Sequence, residues 1–156
     1  MRTVYVLVGP KGAGKSHIGT QVEGQTDIHF LRTEPLWVGL KKGEDGWKKV
    51  ERAIDTLLID HEKVMIESLG AGDGFANLHQ SLARKYVVKL VQVKTDLDEC
   101  LRRVKARDPK DHIPVSDEKV AEYNEAAAKV QHAFYAVIDN NGPATLEEML
   151  APFKKK

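Results

Sequence analysis

The residues Thr3 to Val8 form a run of Val, Tyr and Leu with no charge in it. Such uniform hydrophobicity suits a strand covered on both faces, as in a parallel sheet. A glycine-rich turn follows, and a helical period runs from about Lys15 to Glu23. Asp27 to Arg32 reads as a short second strand. Between Glu44 and His61, the residues Trp47, Val50, Ile54, Leu57 and Leu58 share one stripe, with Lys48, Lys49, Glu51 and Arg52 around it. That period predicts an amphipathic helix. Lys63 to Glu67 is a third strand, ending in a loop of small residues from Ser68 to Gly74. A helix from about Phe75 to Lys85 leads to a fourth strand, Tyr86 to Lys94. Asp96 caps a helix that runs to about Arg107. Asp108 to Val115 is polar, holds two prolines and reads as an exposed loop. Ser116 begins another helix. Tyr135 to Asp139 is a fifth strand, Asn140 to Pro143 a turn, and Thr145 starts a last helix ending near Phe153.

Apolar runs alternating with helical periods predict an α/β domain with a parallel sheet. At 156 residues the chain is long enough for one domain with a real core. No repeat, low-complexity stretch or linker divides it. The apolar fraction of 42% and charged fraction of 30% are ordinary for a globular protein.

Charge argues against several functions, although a basic groove could still exist locally. The chain carries 24 basic and 23 acidic residues, for a net charge of +1. That balance supplies no overall drive toward nucleic acid or an anionic membrane. The tail Lys154 to Lys156 reads as a solvated terminus. Tyr86, Tyr123, Phe134 and Tyr135 do not alternate with basic residues as an RNA-reading surface would. No apolar run approaches the ~20 residues needed to span a bilayer. The first strand starts at Thr3, which leaves no room for a signal peptide. The one cysteine, Cys100, lies in a helical pattern and reads as a buried structural thiol, so a reducing, cytoplasmic setting is expected. The six histidines have no zinc-ligand spacing. His112 is either a phosphate contact or a solvated loop residue.

Gly9-Pro10-Lys11-Gly12-Ala13-Gly14-Lys15-Ser16 fits the phosphate-loop pattern G-x-x-x-x-G-K-[ST] at every fixed position. Glycines let the backbone curl with its N–H groups turned inward around phosphate oxygens. The start of the following helix favours the same anion. Lys15 can reach the β- and γ-phosphates and Ser16 can ligand Mg²⁺, so ATP and Mg²⁺ are the expected cofactors. Gly9, Lys11, Gly12, Ala13, Gly14, Lys15, Ser16 and His17 make up the nucleotide side.

Phosphoryl transfer also needs an acceptor held in line and a carboxylate near its hydroxyl. In an open parallel sheet those groups lie at the C-terminal ends of the strands. Two carboxylates qualify: Glu34, after the second strand, and Glu67, at the end of the third. Either could orient the acceptor hydroxyl or hold Mg²⁺ through water, and for each the competing reading is a surface salt-bridge partner. Arg32 suits an anionic substrate group or is a solvated arginine. Gly70 and Gly72 would let a substrate approach the backbone, or simply make a flexible turn.

Together these residues resemble the small P-loop kinases of the nucleoside-monophosphate-kinase type, above all the shikimate kinase family. The likeness covers nearly the whole chain. It implies a three-layer sandwich with a five-stranded parallel sheet of order 2-3-1-4-5 and a small lid at about residues 108–115. Gly43-Glu44-Asp45-Gly46-Trp47-Lys48-Lys49-Val50-Glu51 is similar to that family's G-E-x-x-F-R-x-x-E, with Trp47 for Phe and Lys48 for Arg. In the family that arginine holds the substrate carboxylate; Lys48 keeps the charge and loses the bidentate fork. The family's D-x-D after the second strand corresponds to Arg32-Thr33-Glu34, and its glycine-rich segment after the third strand to Gly70-Ala71-Gly72. Leu101 to Arg107 is similar to the helix entering the lid, which implies that Arg103 and Arg107 lie against the nucleotide, or that Arg107 is the lid arginine. The lid segment Asp111-His112-Ile113-Pro114 lacks the family's further arginine.

The departures fall on the acceptor side, while the donor side is nearly intact. The expected function is therefore transfer of the ATP γ-phosphoryl group to a hydroxyl of a small metabolite, by a monomer or homodimer, with Lys15, Glu34, Glu67 and Arg107 as catalytic candidates. Glu34-Pro35-x-Trp37 loosely resembles a segment of nucleoside and thymidylate kinases and keeps a nucleoside or nucleotide acceptor open. A reading of another class is a regulatory module that binds ATP with little catalysis.

Overall fold

The computed structural model describes residues 2–105, 132–142 and 144–153. Its central strand, β1 (Thr3–Val8), lies between β3 (Lys63–Ser68) and β4 (Val87–Lys94) and pairs parallel with both. The outer strands are β2 (His29–Phe30) beside β3 and β5 (Ala136–Asp139) beside β4, which gives the order β2-β3-β1-β4-β5. This is the topology the family resemblance implies.

Two-sided burial of β1 is written in its alternation. Tyr5 and Leu7 enter one apolar cluster with Ile18, Val22, Met65, Val91, Val93, Met149 and Phe153. Val4, Val6 and Val8 enter a second cluster with Val50, Ile54, Leu58, Leu78 and Leu82. The first cluster is closed by α1 (Lys15–Gln25) and α6 (Leu146–Leu150), the second by α3 (Gly46–Asp60) and α4 (Gly72–Lys85). The result is a sheet between two helical layers. The helix α5 (Leu97–Lys105) follows β4. The chain from 106 to 131 lies outside the described residues, and with it the expected lid and the helix from Ser116.

Most boundaries agree with the sequence pattern, and the differences have causes. The second strand is confined to His29 and Phe30, since only these two residues pair with β3. A few residues further on, where the sequence pattern assigns no element, lies a short helix, α2 (Glu34–Val38), with a proline in its first turn. Proline hides helix from a periodicity search, yet it is tolerated where the N–H has no helical partner. The third helix starts at Gly46, because the Asp45 side chain accepts from the amides of Trp47 and Lys48 at 3.0 and 3.3 Å. The last helix stops at Leu150 and tightens into a 3₁₀ turn, Ala151–Phe153. Thr145 and Glu148 form a capping box at its start.

Within the second layer Lys85 of α4 contacts Glu51 and Asp55 of α3, both at 2.8 Å, across the α3–α4 seam. Beneath that seam Ile54 is fully buried. Truncating it to alanine should lower unfolding stability by about 2–5 kcal/mol, read from urea denaturation. A loss below ~1 kcal/mol would mean that this helix does not close the core.

Candidate active site

The parallel pairing fixes which loops meet. Val8 is level with Ser68, and Phe30 with Met65, so the chain leaves β1, β2 and β3 on one edge of the sheet. Gly9 follows β1 directly and donates its amide to the Ser68 carbonyl at 3.2 Å. The loops after β1 and β3 are thereby joined where they emerge.

The loop from Gly9 to Ser16 has the curl its sequence predicts. Gly12 and Gly14 have φ of +87° and +92°, the left-handed region that disfavours any side chain. Space decides the same way. A Cβ on Gly12 would lie 2.2 Å from the Cys100 carbonyl oxygen. Lys15 is buried at the first residue of α1, and its ammonium donates to the carbonyls of Gly9 and, at 3.3 Å, Pro10. The lysine thus arches over the loop. His17, by contrast, is exposed on α1.

Glu67 and Ser16 come together. The Ser16 hydroxyl lies 2.8 Å from Glu67 Oε2 and 3.0 Å from Oε1. A hydroxyl and a carboxylate side by side are hard oxygen ligands of the kind that suit Mg²⁺. Among the described residues no three His, Cys, Asp or Glu side chains converge as a metal cage. Mg²⁺ held by one or two protein oxygens plus phosphate needs none. Glu34 is half-buried at the first residue of α2, one residue beyond the buried Thr33. Arg32 and Lys48 are both exposed and form no ion pair among the described residues. Gly70 is buried and Gly72 exposed, with φ of +73° and +89°. Arg107 lies outside the described residues.

Sequence reasoning did not find the aromatic row beside these groups. Trp37 meets Trp47 edge-on at 5.1 Å, Trp47 meets Phe75 at 6.4 Å, and Phe75 meets His132 at 5.6 Å. Two glycines make this possible: a Cβ on Gly46 would be 2.0 Å from the Trp37 ring, and one on Gly74 2.1 Å from Trp47 Nε1. The row carries the start of α3, and with it Lys48, against α2 and the start of α4. His132 in turn meets Phe134 edge-on at 5.8 Å and contacts the Gly70 carbonyl through Nε2 at 2.8 Å. A carbonyl only accepts, so Nε2 bears the proton. The signal in the sequence was the pairing of each tryptophan with a distant glycine, which no local period reveals.

Arg103, expected on the nucleotide side, is placed behind the loop. Its Nη1 reaches the carbonyls of Gly12 and Ala13 at 3.4 and 3.2 Å, and its Nε contacts Glu99 at 3.0 Å.

A five-stranded parallel sheet of this order, with a phosphate loop after its central strand, defines the P-loop kinase fold, and the chain has that fold. Within that class its sequence is similar to shikimate kinases. It is 29% identical over 144 residues to the shikimate kinase of Aliivibrio fischeri, spanning 86% of this chain and 81% of that protein. It is 29% identical over 142 residues to shikimate kinase 1 of Yersinia pestis, spanning 85% and 80%. No protein-family model matches it. Solved structures agree on the fold. The tunicamycin resistance protein of Deinococcus radiodurans superposes with a TM-score of 0.69 at 16% identity, over 100% of this chain and 98% of that one. The shikimate kinase of Acinetobacter baumannii in complex with shikimate gives 0.60 at 20% identity, over 99% and 96%. A gluconokinase of Sinorhizobium meliloti gives 0.62 at 16%, over 97% and 93%. No helix among the described residues is long and apolar enough to cross a membrane.

His79 lies beside the aromatic row, its ring 5.9 Å from Phe75 and 6.3 Å from His132. Partial burial, and then the neighbouring His132, hold the His79 imidazole below its ordinary value of 6.5. The folded state therefore takes up this proton at lower pH than the unfolded chain does. Its contribution to stability is full above pH 6.5 and is lost as pH falls through the depressed folded value. The urea midpoint should fall below about pH 6.5, less steeply in His79→Phe than in the wild type. Equal slopes would contradict the assignment.

Proposed function

We propose that the protein transfers the γ-phosphoryl group of ATP to a hydroxyl of a small anionic metabolite, in the manner of a shikimate kinase. The observation that carries this reading is the contact of Ser16 with Glu67. It sets a carboxylate from the end of β3 against the residue after the phosphate-loop lysine. A loop that merely bound an anion would have no use for a negative charge at that place.

Each group then has a role. The loop amides and the Lys15 ammonium bind the β- and γ-phosphates, Lys15 exchanging its loop carbonyls for phosphate oxygens. The Ser16 hydroxyl and the Glu67 carboxylate would hold Mg²⁺. When bound, that ion neutralises charge on the phosphate oxygens. Glu34 is left to orient the acceptor hydroxyl and take its proton. Arg32 and Lys48, exposed at the same end of the sheet, attract the acceptor's own anionic group. Similarity to shikimate kinases supports the hydroxy-acid class of acceptor, and Lys48 in the place of an arginine argues for a looser grip on the carboxylate. Arg107 and the segment 108–115 are proposed to close over the reactants and exclude water, the competing acceptor.

A second reading has its own observation. Trp37 and Trp47 are only half-buried, and the ring surface they leave open is suited to a flat ring, which favours a nucleoside acceptor. The two are separated by following ADP release with a panel of hydroxy acids, sugars and nucleosides. A hydroxy acid should raise turnover well above ATP hydrolysis, and Lys15→Ala should abolish it. Stimulation by nucleosides alone would select the second reading. Tight ATP binding with no stimulating acceptor would sink both in favour of a nucleotide-binding regulatory module.

A further inference from the structure

A phosphate cradle works only if its amides point inward, and the groups that aim them lie outside the loop. The Ala13 carbonyl receives three donors: Asn140 Nδ2 at 2.7 Å, Arg103 Nη1 at 3.2 Å and Thr95 Oγ1 at 3.2 Å. They come from the end of β5, from α5 and from the turn after β4. No local motif includes them.

Asn140 is the most constrained of the three. It is 5% exposed. Its side-chain Oδ1 accepts from the Ala144 amide at 2.9 Å, so both ends of the carboxamide are engaged. Its own amide donates to the Lys94 carbonyl at 2.8 Å, and its carbonyl accepts from Arg103 Nη2 at 2.8 Å. The next residue, Asn141, exchanges two hydrogen bonds with Asp96, at 3.0 and 2.8 Å, which ties the same two turns together. A Cβ on Gly14 would lie 2.4 Å from Asn140 Nδ2, so Asn140 also sets the need for glycine there.

In a trans peptide the carbonyl and the amide N–H point in opposite directions. The described chain has no cis peptide. Drawing the Ala13 carbonyl outward therefore turns the Gly14 N–H toward the inside of the loop. Three donors on one carbonyl oxygen also polarise the peptide and make that N–H a stronger donor.

We propose that Asn140, seconded by Thr95 and Arg103, is a positioning residue for the phosphate site: it holds the Ala13–Gly14 peptide so that the Gly14 amide faces phosphate. This rests on the phosphate-loop reading above. It assigns Arg103 to the back of the loop, where it fixes the cradle and leaves nucleotide contact to other groups.

The test uses the full chain and two ligands, inorganic pyrophosphate and ADP, titrated by calorimetry into wild type, Asn140→Asp and Asn140→Ala, with melting temperatures measured in parallel. At about pH 7.5 both variants should bind pyrophosphate roughly tenfold more weakly, the equivalent of one lost hydrogen bond. The aspartate variant presents acceptors only when ionised and regains a donor when protonated. Its deficit relative to wild type should therefore close as pH falls toward about 4, the ordinary range of an aspartate, while that of the alanine variant should not. Variants that bind pyrophosphate within about twofold of wild type, or that respond identically to pH, would overturn the proposal. If Asn140→Asp does not fold, Thr95→Val removes a second donor at nearly constant shape. It should weaken pyrophosphate binding by about threefold, and an unchanged affinity again overturns the proposal. Wild type that fails to bind pyrophosphate at all is a different result, and it removes the phosphate-loop reading itself.

Discussion

A strand that pairs on both edges and is covered on both faces has no freedom of register. β1 is in that position: parallel to β3 and β4, with Tyr5 and Leu7 in one core and Val4, Val6 and Val8 in the other. A shift by one residue would exchange the two faces. The same pairing sets Leu7 beside Glu67 and Val8 beside Ser68, so it also decides where the chemistry stands. Gly9 leaves the sheet at the level where β3 ends, and Ser16, one loop later, meets Glu67.

The loop is then held from three directions. Beneath it, the Cys100 carbonyl fits only against a glycine at position 12. Behind it, Asn140, Arg103 and Thr95 share the Ala13 carbonyl. Beside it, the Ser68 carbonyl takes the Gly9 amide. Preorganised amides in a fixed cradle cost no reorganisation when charge arrives, which is where enzymes gain much of their electrostatic stabilisation. The side proposed to hold the acceptor is built differently. It depends on side-chain packing, with Trp37 and Trp47 seated on Gly46 and Gly74, and its charged groups Arg32 and Lys48 remain exposed.

This difference explains what could be read in the sequence. The strands β1, β3 and β4 and the phosphate loop are local signals: uncharged runs, one eight-residue motif and helical stripes; the strand order is non-local and came from the family resemblance. Glu67 was legible as a carboxylate at a strand end, but not its choice of Ser16, because that contact spans 51 positions and needs the β1–β3 register. Asn140 looked like part of a turn. Its use of a carbonyl 127 positions away could not be inferred from Asn-Asn-Gly-Pro. Helix α2 was hidden by Pro35, and the aromatic row by the need to know which glycine each tryptophan faces. Arg103 was expected near the nucleotide from family likeness; the fold places its guanidinium on the loop's outer carbonyls.

What unites these features is the contact of Ser16 with Glu67, proposed above as a metal-binding pair, set against the phosphate loop. Calorimetric titration of ADP with and without Mg²⁺, on wild type and on Glu67→Ala, tests that pair most directly. Mg²⁺ should tighten ADP binding to the wild type and have little effect on the variant, whose metal-free affinity should be unchanged or improved by loss of the negative charge. An equal Mg²⁺ effect in both proteins would contradict the assignment and return the metal to Glu34 or to the nucleotide alone.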